Sequence, residues 1–405
     1  MQSTAVNIGQ IKQVNAPWAL HPIKYSAREV PHATIETNRT CNLGCQTCYT
    51  LDRRSVKSLA HVKDEIDLAL KKRDLQTVTI LGGEPTLYPD LDDVIAYIKS
   101  RGLFCQLLSN GLLLLGDRGD EMLDCLARRG LDRILLHVDS GQRHVHKDLG
   151  AARRALFSKC EARRLHFSLS VTIYNEDQGQ MPELLGAISA YRFFDGILAV
   201  LARDPHPPGF ERADLATECR SLADTLGLRP AAYIPSNLSD ADVRWIFYFY
   251  FINAETKKTF SCSPRLDLAL RRTFRFLQGR ELFAARWNPA LAGLGFFLAV
   301  LFETIRSPGR IREAARVWRG SRAGRAIRFH YIVIQKPPDI HPQTGQLVFC
   351  HRCPDATVRN GRLVPVCVAD HISPLAGAGT LSSSGEAWAP DIYRHLGEGQ
   401  EERRT

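Results

Sequence analysis

Residues Met1 to Trp18 lack the basic start and the roughly 7-to-15-residue apolar core of a secretory signal. The apolar run from Pro289 to Phe302 stops at fourteen residues, short of the roughly twenty that a membrane-crossing helix needs. No internal repeat is present, which excludes a solenoid or propeller. Together these absences predict a chain kept in the reducing cytoplasm. Its eleven cysteines are then expected to be metal ligands or buried apolar residues, not disulfides.

What is present is a globular composition, 44% hydrophobic and 24% charged, which excludes a disordered or fibrous chain. The 405 residues are enough for one large domain with a substantial core and a smaller appendage. The net charge of +10 is local. Ser261 to His330 holds fourteen arginines against Asp267, Glu281, Glu303 and Glu313, and the rest of the chain is balanced. A basic surface confined to one segment points to an anionic partner there, a nucleic acid or a phospholipid surface.

From Ala33 to about Leu201, β-rich runs alternate with helical patterns, the signature of stacked βα units on a parallel sheet. Six strands are expected, at 33–37, 77–81, 104–108, 133–138, 166–173 and 196–199. Amphipathic helices are expected at 56–73, 91–100, 120–129, 151–163 and 182–190. The run Asp204 to Gly209, DPHPPG, interrupts regular structure because its prolines lack the backbone donor. The reading divides the chain into an N-terminal extension (1–32), a barrel-like domain (33–203), a C-terminal extension (204–380) and a tail (381–405). Beyond the barrel it places a helix at about 212–226 and an aromatic strand at 245–251.

Cys41, Cys45 and Cys48 form C-x3-C-x2-C directly after the first strand. Three thiolates can hold three irons of a four-iron cluster and leave the fourth open. A zinc knuckle is the competing reading, but it recruits a fourth Cys or His nearby, and only His61 follows within twenty residues. The second strand runs into Gly82, Gly83, Glu84 and Pro85. Paired glycines let backbone approach a ligand closely, and a carboxylate accepts from an ammonium, which suits an amino-acid ligand.

In this order, on consecutive strands, these motifs resemble the radical S-adenosylmethionine (radical SAM) superfamily. The resemblance implies an α/β fold, a partial (β/α)6 barrel of radical SAM type with a C-terminal α+β extension. It implies a 4Fe-4S cluster on Cys41, Cys45 and Cys48, whose open iron chelates the methionine part of S-adenosylmethionine, with Gly82, Gly83 and Glu84 holding the ammonium. It implies further cofactor contacts at Ser109, Asn110 and Gly111, at Asp139, Ser140 and Gly141, and at Thr172 and Asn175. It also implies an electron donor such as a flavodoxin or ferredoxin. One departure is Thr47 before the third cysteine, where the family often has an aromatic residue; Tyr49 stands just after it.

Cys350 and Cys353 form C-x2-C, and the Asn360-Gly361 pair predicts a hairpin that folds Cys367 back toward them. This module resembles the auxiliary iron-sulfur modules of the superfamily, and Cys262 is the expected fourth ligand, ahead of His351 or His371. A second 4Fe-4S cluster and a structural zinc both fit C-x2-C spacing. Cys105, Cys125, Cys160 and Cys219 have no partners in spacing and are expected in the core.

Pro289 to Phe302, bracketed by Arg286, Trp287, Glu303 and Arg306, is followed by Arg312, Arg316 and Arg319 at helical spacing. The pattern fits an interfacial anchor on an anionic membrane, peripheral at its inner face. A buried helical hairpin is the alternative. Nucleic acid is not expected, because the aromatics gather in the apolar run instead of among the arginines. The functional expectation is a radical SAM enzyme acting on a lipid or isoprenoid-like substrate. A peptide-modifying enzyme and a non-catalytic iron-sulfur or zinc scaffold are the alternatives.

Overall fold

The computed structural model describes residues 19–45, 48–50, 53–202, 213–278, 288–341 and 343–372. DPHPPG, Thr47, Arg286, Trp287 and the 381–405 tail lie outside these residues, as does the His371 side chain.

The six expected strands are present as β1 (His32–Glu36), β2 (Thr77–Leu81), β3 (Phe104–Ser109), β4 (Arg133–His137), β5 (His166–Ile173) and β6 (Phe194–Leu201). They pair in parallel in sequence order. Helices α1 (Leu59–Lys72), α2 (Leu91–Ser100), α3 (Gly119–Arg128), α4 (Leu149–Ala162) and α5 (Met181–Ile188) supply the crossovers. Local chemistry sets these elements. Ser58 caps α1 by accepting from the His61 amide, and Val62, Ile66 and Ala69 recur on one face and are buried. The strands read as nearly unbroken apolar runs because both faces of a helix-covered parallel sheet are buried. This is the expected partial (β/α)6 barrel.

Beyond it come α6 (Leu215–Leu226), β7 (Ala232–Pro235), β8 (Val243–Asn253), β9 (Thr259–Ser261), α7 (Pro264–Gln278), α8 (Ala292–Thr304), α9 (Arg310–Trp318), β10 (Ile327–Gln335) and the hairpin of β11 (Ala356–Arg359) and β12 (Arg362–Pro365). The sheet does not stop at β6. β10 adds to it in parallel, and β8 then pairs antiparallel with β10. β7 and β9 pair antiparallel with β8, and a two-residue strand, His21–Pro22, pairs with β7, giving eleven strands in all. One core lies between the parallel strands and α1–α6. A second lies between the outer face of β8 and β10 and the layer α7–α9. No helix among the described residues is long and apolar enough to cross a membrane.

Candidate functional site

The turn after β2 and the loop after β1 are fitted to each other. The Gly83 amide donates to the Asn38 carbonyl at 2.8 Å and the Glu84 amide to the Thr40 carbonyl at 2.8 Å. A Cβ on Gly82 would lie 2.2 Å from the Asn38 oxygen, and one on Gly83 would lie 2.3 Å and 2.4 Å from the oxygens of Arg39 and Thr40. The close approach foreseen for these glycines is therefore to the protein's own cysteine loop, which they hold at the carboxyl ends of the strands. The Asn38 side chain completes the clamp, donating to the carbonyls of Thr40 (3.0 Å) and Glu84 (3.1 Å).

Glu84 is 1% exposed, and its carboxylate already has protein partners. One oxygen accepts from the Thr86 amide (3.0 Å), the Thr86 hydroxyl (2.6 Å) and the Ser109 hydroxyl (2.8 Å); the other accepts from the Asn110 amide (2.7 Å). The carboxylate thus bolts the turn after β2 to the turn after β3, and Pro85 opens the short 3-10 turn that completes it. Asn110 reaches on to the loop, donating to Asn42 Oδ1 at 2.7 Å with Cys41 Sγ 3.9 Å away.

The next two strand ends are joined in the same way. Asp139, 2% exposed, accepts from the amides of Gly141 (3.0 Å) and Thr172 (2.7 Å) and faces His137 Nε2 at 3.2 Å. Ser140 donates to Asp177, in the short turn opened by Asn175. The structure therefore brings Cys41, Gly82, Gly83, Glu84, Ser109 and Asn110 into one group and Asp139, Ser140, Thr172 and Asn175 into a second. The negative charge of Asp139 acts on Cys45, which connects the two.

The three loop thiols are half-buried and free of disulfides. Burial, with the neighbouring thiols and Asp139 adding to it, pushes Cys45 up to about 12. Burial raises Cys41 as well, opposed by the Leu43 amide. The Leu43 and Thr50 amides each lie 3.4 Å from a sulfur, of Cys41 and Cys48 respectively. Arg53, which sequence reading passed over, donates to the Leu43 carbonyl at 2.6 Å and favours the thiolates of Cys41 and Cys45. Among the described residues, no three Cys, His, Asp or Glu side chains surround a point closely enough to hold a single metal ion. A four-iron cluster asks for something else, since each thiolate binds its own iron. Three mutually interacting thiols, supplied with N–H donors and a nearby guanidinium, fit that group.

The sequence profile of the Radical SAM superfamily matches residues 35–174. The match covers the barrel from β1 to β5 and not the rest of the chain. An S-adenosylmethionine-dependent nucleotide dehydratase from Thermoplasmatales archaeon (strain ISO4-H5) is 34% identical over 94 residues, 23% of this chain and 33% of that protein. The PqqA peptide cyclase of Xanthomonas campestris pv. campestris (strain B100) is 26% identical over 165 residues, 37% of this chain and 42% of that protein. The crystal structure of Streptococcus suis SuiB is 16% identical, covering 46% of this chain and 42% of that one at a TM-score of 0.38. The chain thus spans less than half the length of the curated relatives it matches. Radical SAM proteins use a 4Fe-4S cluster and S-adenosylmethionine, and the matched segment contains the whole cysteine loop and the GGEP turn.

The C-terminal residues pack against this barrel. Cys350 and Cys353 are 5% and 6% exposed. Trp245 Nε1 donates to Cys350 Sγ at 3.0 Å. The Cys353 thiol is raised by its hydrogen bond with Cys350, by burial and by the charge of Cys367, so the structure brings these three together. Asn360 (φ 48°) and Gly361 (φ 73°) turn the hairpin. Cys262 stands apart. Its amide donates to the Phe249 carbonyl, four residues along β8 from Trp245, roughly 13 Å at about 3.3 Å per residue. Its thiol is raised by burial and by Glu303 and Asp267, not by the other cysteines. The structure therefore does not bring Cys262 to the knuckle. Of the cysteines expected in the core, Cys105, Cys160 and Cys219 are buried and Cys125 is half-buried.

Sequence reasoning also missed how this module reaches the cysteine loop. Arg39, two residues before Cys41, donates to Asp370 (2.8 Å) and lies 3.4 Å from Glu36, while Arg359 of β11 pairs with Glu36 and stands 3.6 Å from Asp370. Glu36, Arg39 and Arg359 are at most 3% exposed and Asp370 8%. Arg73, at the end of α1, donates to the carbonyls of Cys353 (3.0 Å) and Pro354 (3.2 Å). The contacts of Arg39 with Asp370, of Glu36 with Arg359 and of Arg73 with Cys353 and Pro354 pair residues hundreds of positions apart, so no local spacing signals them.

Proposed function

We propose that this chain is a radical SAM enzyme in which Cys41, Cys45 and Cys48 hold a 4Fe-4S cluster. When bound, that cluster supplies the electron that splits S-adenosylmethionine into methionine and a 5'-deoxyadenosyl radical. The observation that carries the reading is the fitted pair of loops, where a turn with no room for side chains holds three thiols at the carboxyl edge of the barrel, the edge at which such folds bind ligands. Gly82 and Gly83 set the loop. Glu84, Ser109 and Asn110 fix its distance from the next strand end. Asp139, Ser140, Thr172 and Asn175 line the adjoining strand ends, where cofactor contacts would fall. At Cys41 and Cys45, Arg53 opposes the burial that raises both thiols, in the direction of the thiolates that iron requires.

Cys350, Cys353 and Cys367 would hold a second iron-sulfur cluster beside the barrel; a single zinc ion fits less well, since no three such side chains surround one point among the described residues. A small redox protein such as a flavodoxin or ferredoxin would deliver the electron. For the substrate, the exposed apolar face of α8 supports an amphiphile of lipid or isoprenoid type met at the inner membrane face. A second reading, a peptide substrate, draws on the relatives named PqqA peptide cyclase.

Cys45→Ala tests the core of this. Two thiolates cannot hold the cluster with one iron open, so the anaerobically reconstituted variant should form no 5'-deoxyadenosine under reducing conditions. Turnover at the wild-type rate would overturn the assignment.

A further inference from the structure

We infer that the outward face of α8, ringed by the arginines of α7 and α9, seats on the surface of an anionic lipid bilayer. The helix is already anchored by its other side. Phe296 is 2% exposed and meets Phe251 and Phe260 edge-on, with ring centroids 5.4 Å and 5.5 Å away, and it stacks on Trp318 at 6.2 Å. What remains outside is a continuous stripe at helical spacing. Leu294, Phe297, Leu298, Leu301, Phe302 and Ile305 are 58%, 60%, 55%, 53%, 42% and 72% exposed. On the neighbouring helices, Phe276 of α7 (88%), Ile311 of α9 (59%) and Trp318 (43%), which stacks on Phe296, are exposed as well. An exposed apolar stripe of this kind marks an interaction site.

The charges of the same layer are sorted by side. Of its described acids, Glu303 and Asp267 are buried and Glu313, part-exposed, is paired. Glu303 pairs with Arg310 at 2.7 Å and accepts from the Ser263 amide, Asp267 meets His21 at 2.6 Å and Arg271 at 2.9 Å, and Glu313 pairs with Arg310 at 3.2 Å. Arg265, Arg272, Arg275, Arg306, Arg312, Arg316 and Arg319 are exposed. An apolar stripe bordered by arginines with a tryptophan at its rim matches the acyl and headgroup layers of an anionic bilayer. At thirteen residues α8 is about 20 Å long, so it lies along the interface and does not span it. A second copy of this chain fits less well, because a face-to-face pair would oppose one arginine cluster to another. Nucleic acid would leave the leucines and isoleucines without a partner.

The test is sedimentation of the full chain with vesicles of pure phosphatidylcholine and of phosphatidylcholine containing phosphatidylglycerol. Binding to the anionic vesicles should be at least about tenfold stronger and should weaken as salt is raised. Phe297→Asp with Leu298→Asp, at exposed positions, should lower it by about tenfold or more at an unchanged melting temperature. Arg312→Glu with Arg316→Glu should abolish the preference for anionic lipid and leave weak salt-independent binding. Absence of vesicle binding, equal binding to both compositions, or a dimer in light scattering that the Phe297 and Leu298 substitutions dissociate would overturn the proposal; if the aspartates lower the melting temperature, the arginine pair decides. The docking bears on the amphiphile reading but does not depend on cofactor cleavage, and 5'-deoxyadenosine formation without vesicles, measured in parallel, separates failure of one from failure of the other.

Discussion

Cys41, Cys45 and Cys48 lie half-buried on an irregular loop at the rim of the barrel, while Cys350 and Cys353 lie under the sheet, bonded to Trp245 and, through the backbone, to Arg73. On the proposed reading the contrast is that between a more open and a more enclosed metal site, with Cys367 half-buried at the edge of the second. Metal sites that act on substrates keep a position free for an outside ligand, and structural sites do not. The first group has the exposure for that role. The second has its neighbours fixed, and its tie to the first is the buried set Glu36, Arg39, Arg359 and Asp370. The second group is thus tied to the loop that carries the first through buried ion pairs.

The largest effect expected from breaking this arrangement comes from Arg39→Met. It leaves the carboxylates of Glu36 and Asp370 short of one counter-charge in the interior, which costs about 3–5 kcal/mol. Thermal unfolding should show the drop, and the variant should also retain less iron at the first site. If Arg39→Met melts like the wild type, these ion pairs contribute nothing.

His330 provides a control away from both cysteine groups. Burial lowers it to about 4 from the ordinary 6.5. The folded chain therefore favours neutral imidazole, and the stability this gives is complete above pH 6.5 and lost as pH falls from there toward 4. At about 1.4 kcal/mol per unit, the loss is roughly 3 kcal/mol. Chemical denaturation across that window should show a shallower acid limb for His330→Gln, and equal slopes would contradict the assignment.

Glu84→Gln should have the smallest effect. Four donors converge on the carboxylate, and an amide places an N–H against one of them, a loss of about 1–3 kcal/mol. Global stability and cofactor affinity should fall together, because the residue sets the spacing of two strand ends. Lost affinity at unchanged stability would instead make it a direct ligand of the ammonium.

Much of this was legible in the sequence where the signal is local. The alternation of apolar runs and amphipathic segments located β1 to β6 to within a few residues, and Asn360-Gly361 foretold the hairpin because its positive φ angles suit that pair. β10 was not seen. Its residues 327–335 follow an arginine-rich stretch and lie more than a hundred positions beyond β6, so nothing local shows that they pair between β6 and β8. Glu84 was read correctly as a carboxylate in a tight turn, but nothing in GGEP reveals that Ser109 and Asn110 already occupy it. Cys262 was grouped with the knuckle by element type alone, and only the register of β8 separates them. The exposure of α8 was equally hidden, since a fourteen-residue apolar run reads the same whether one face or both are covered.

The most direct test of the two sites is the response of the reduced protein to S-adenosylmethionine. Wild type and a Cys350→Ala, Cys353→Ala, Cys367→Ala variant are reconstituted anaerobically with iron and sulfide, analysed for iron and zinc, and compared by electron paramagnetic resonance with and without the cofactor. The account predicts that the cofactor shifts the spectrum in both proteins, while the triple variant loses its second metal. A spectrum that ignores the cofactor in the wild type, or a response that vanishes with Cys350, Cys353 and Cys367 although the first loop keeps its iron, would contradict it.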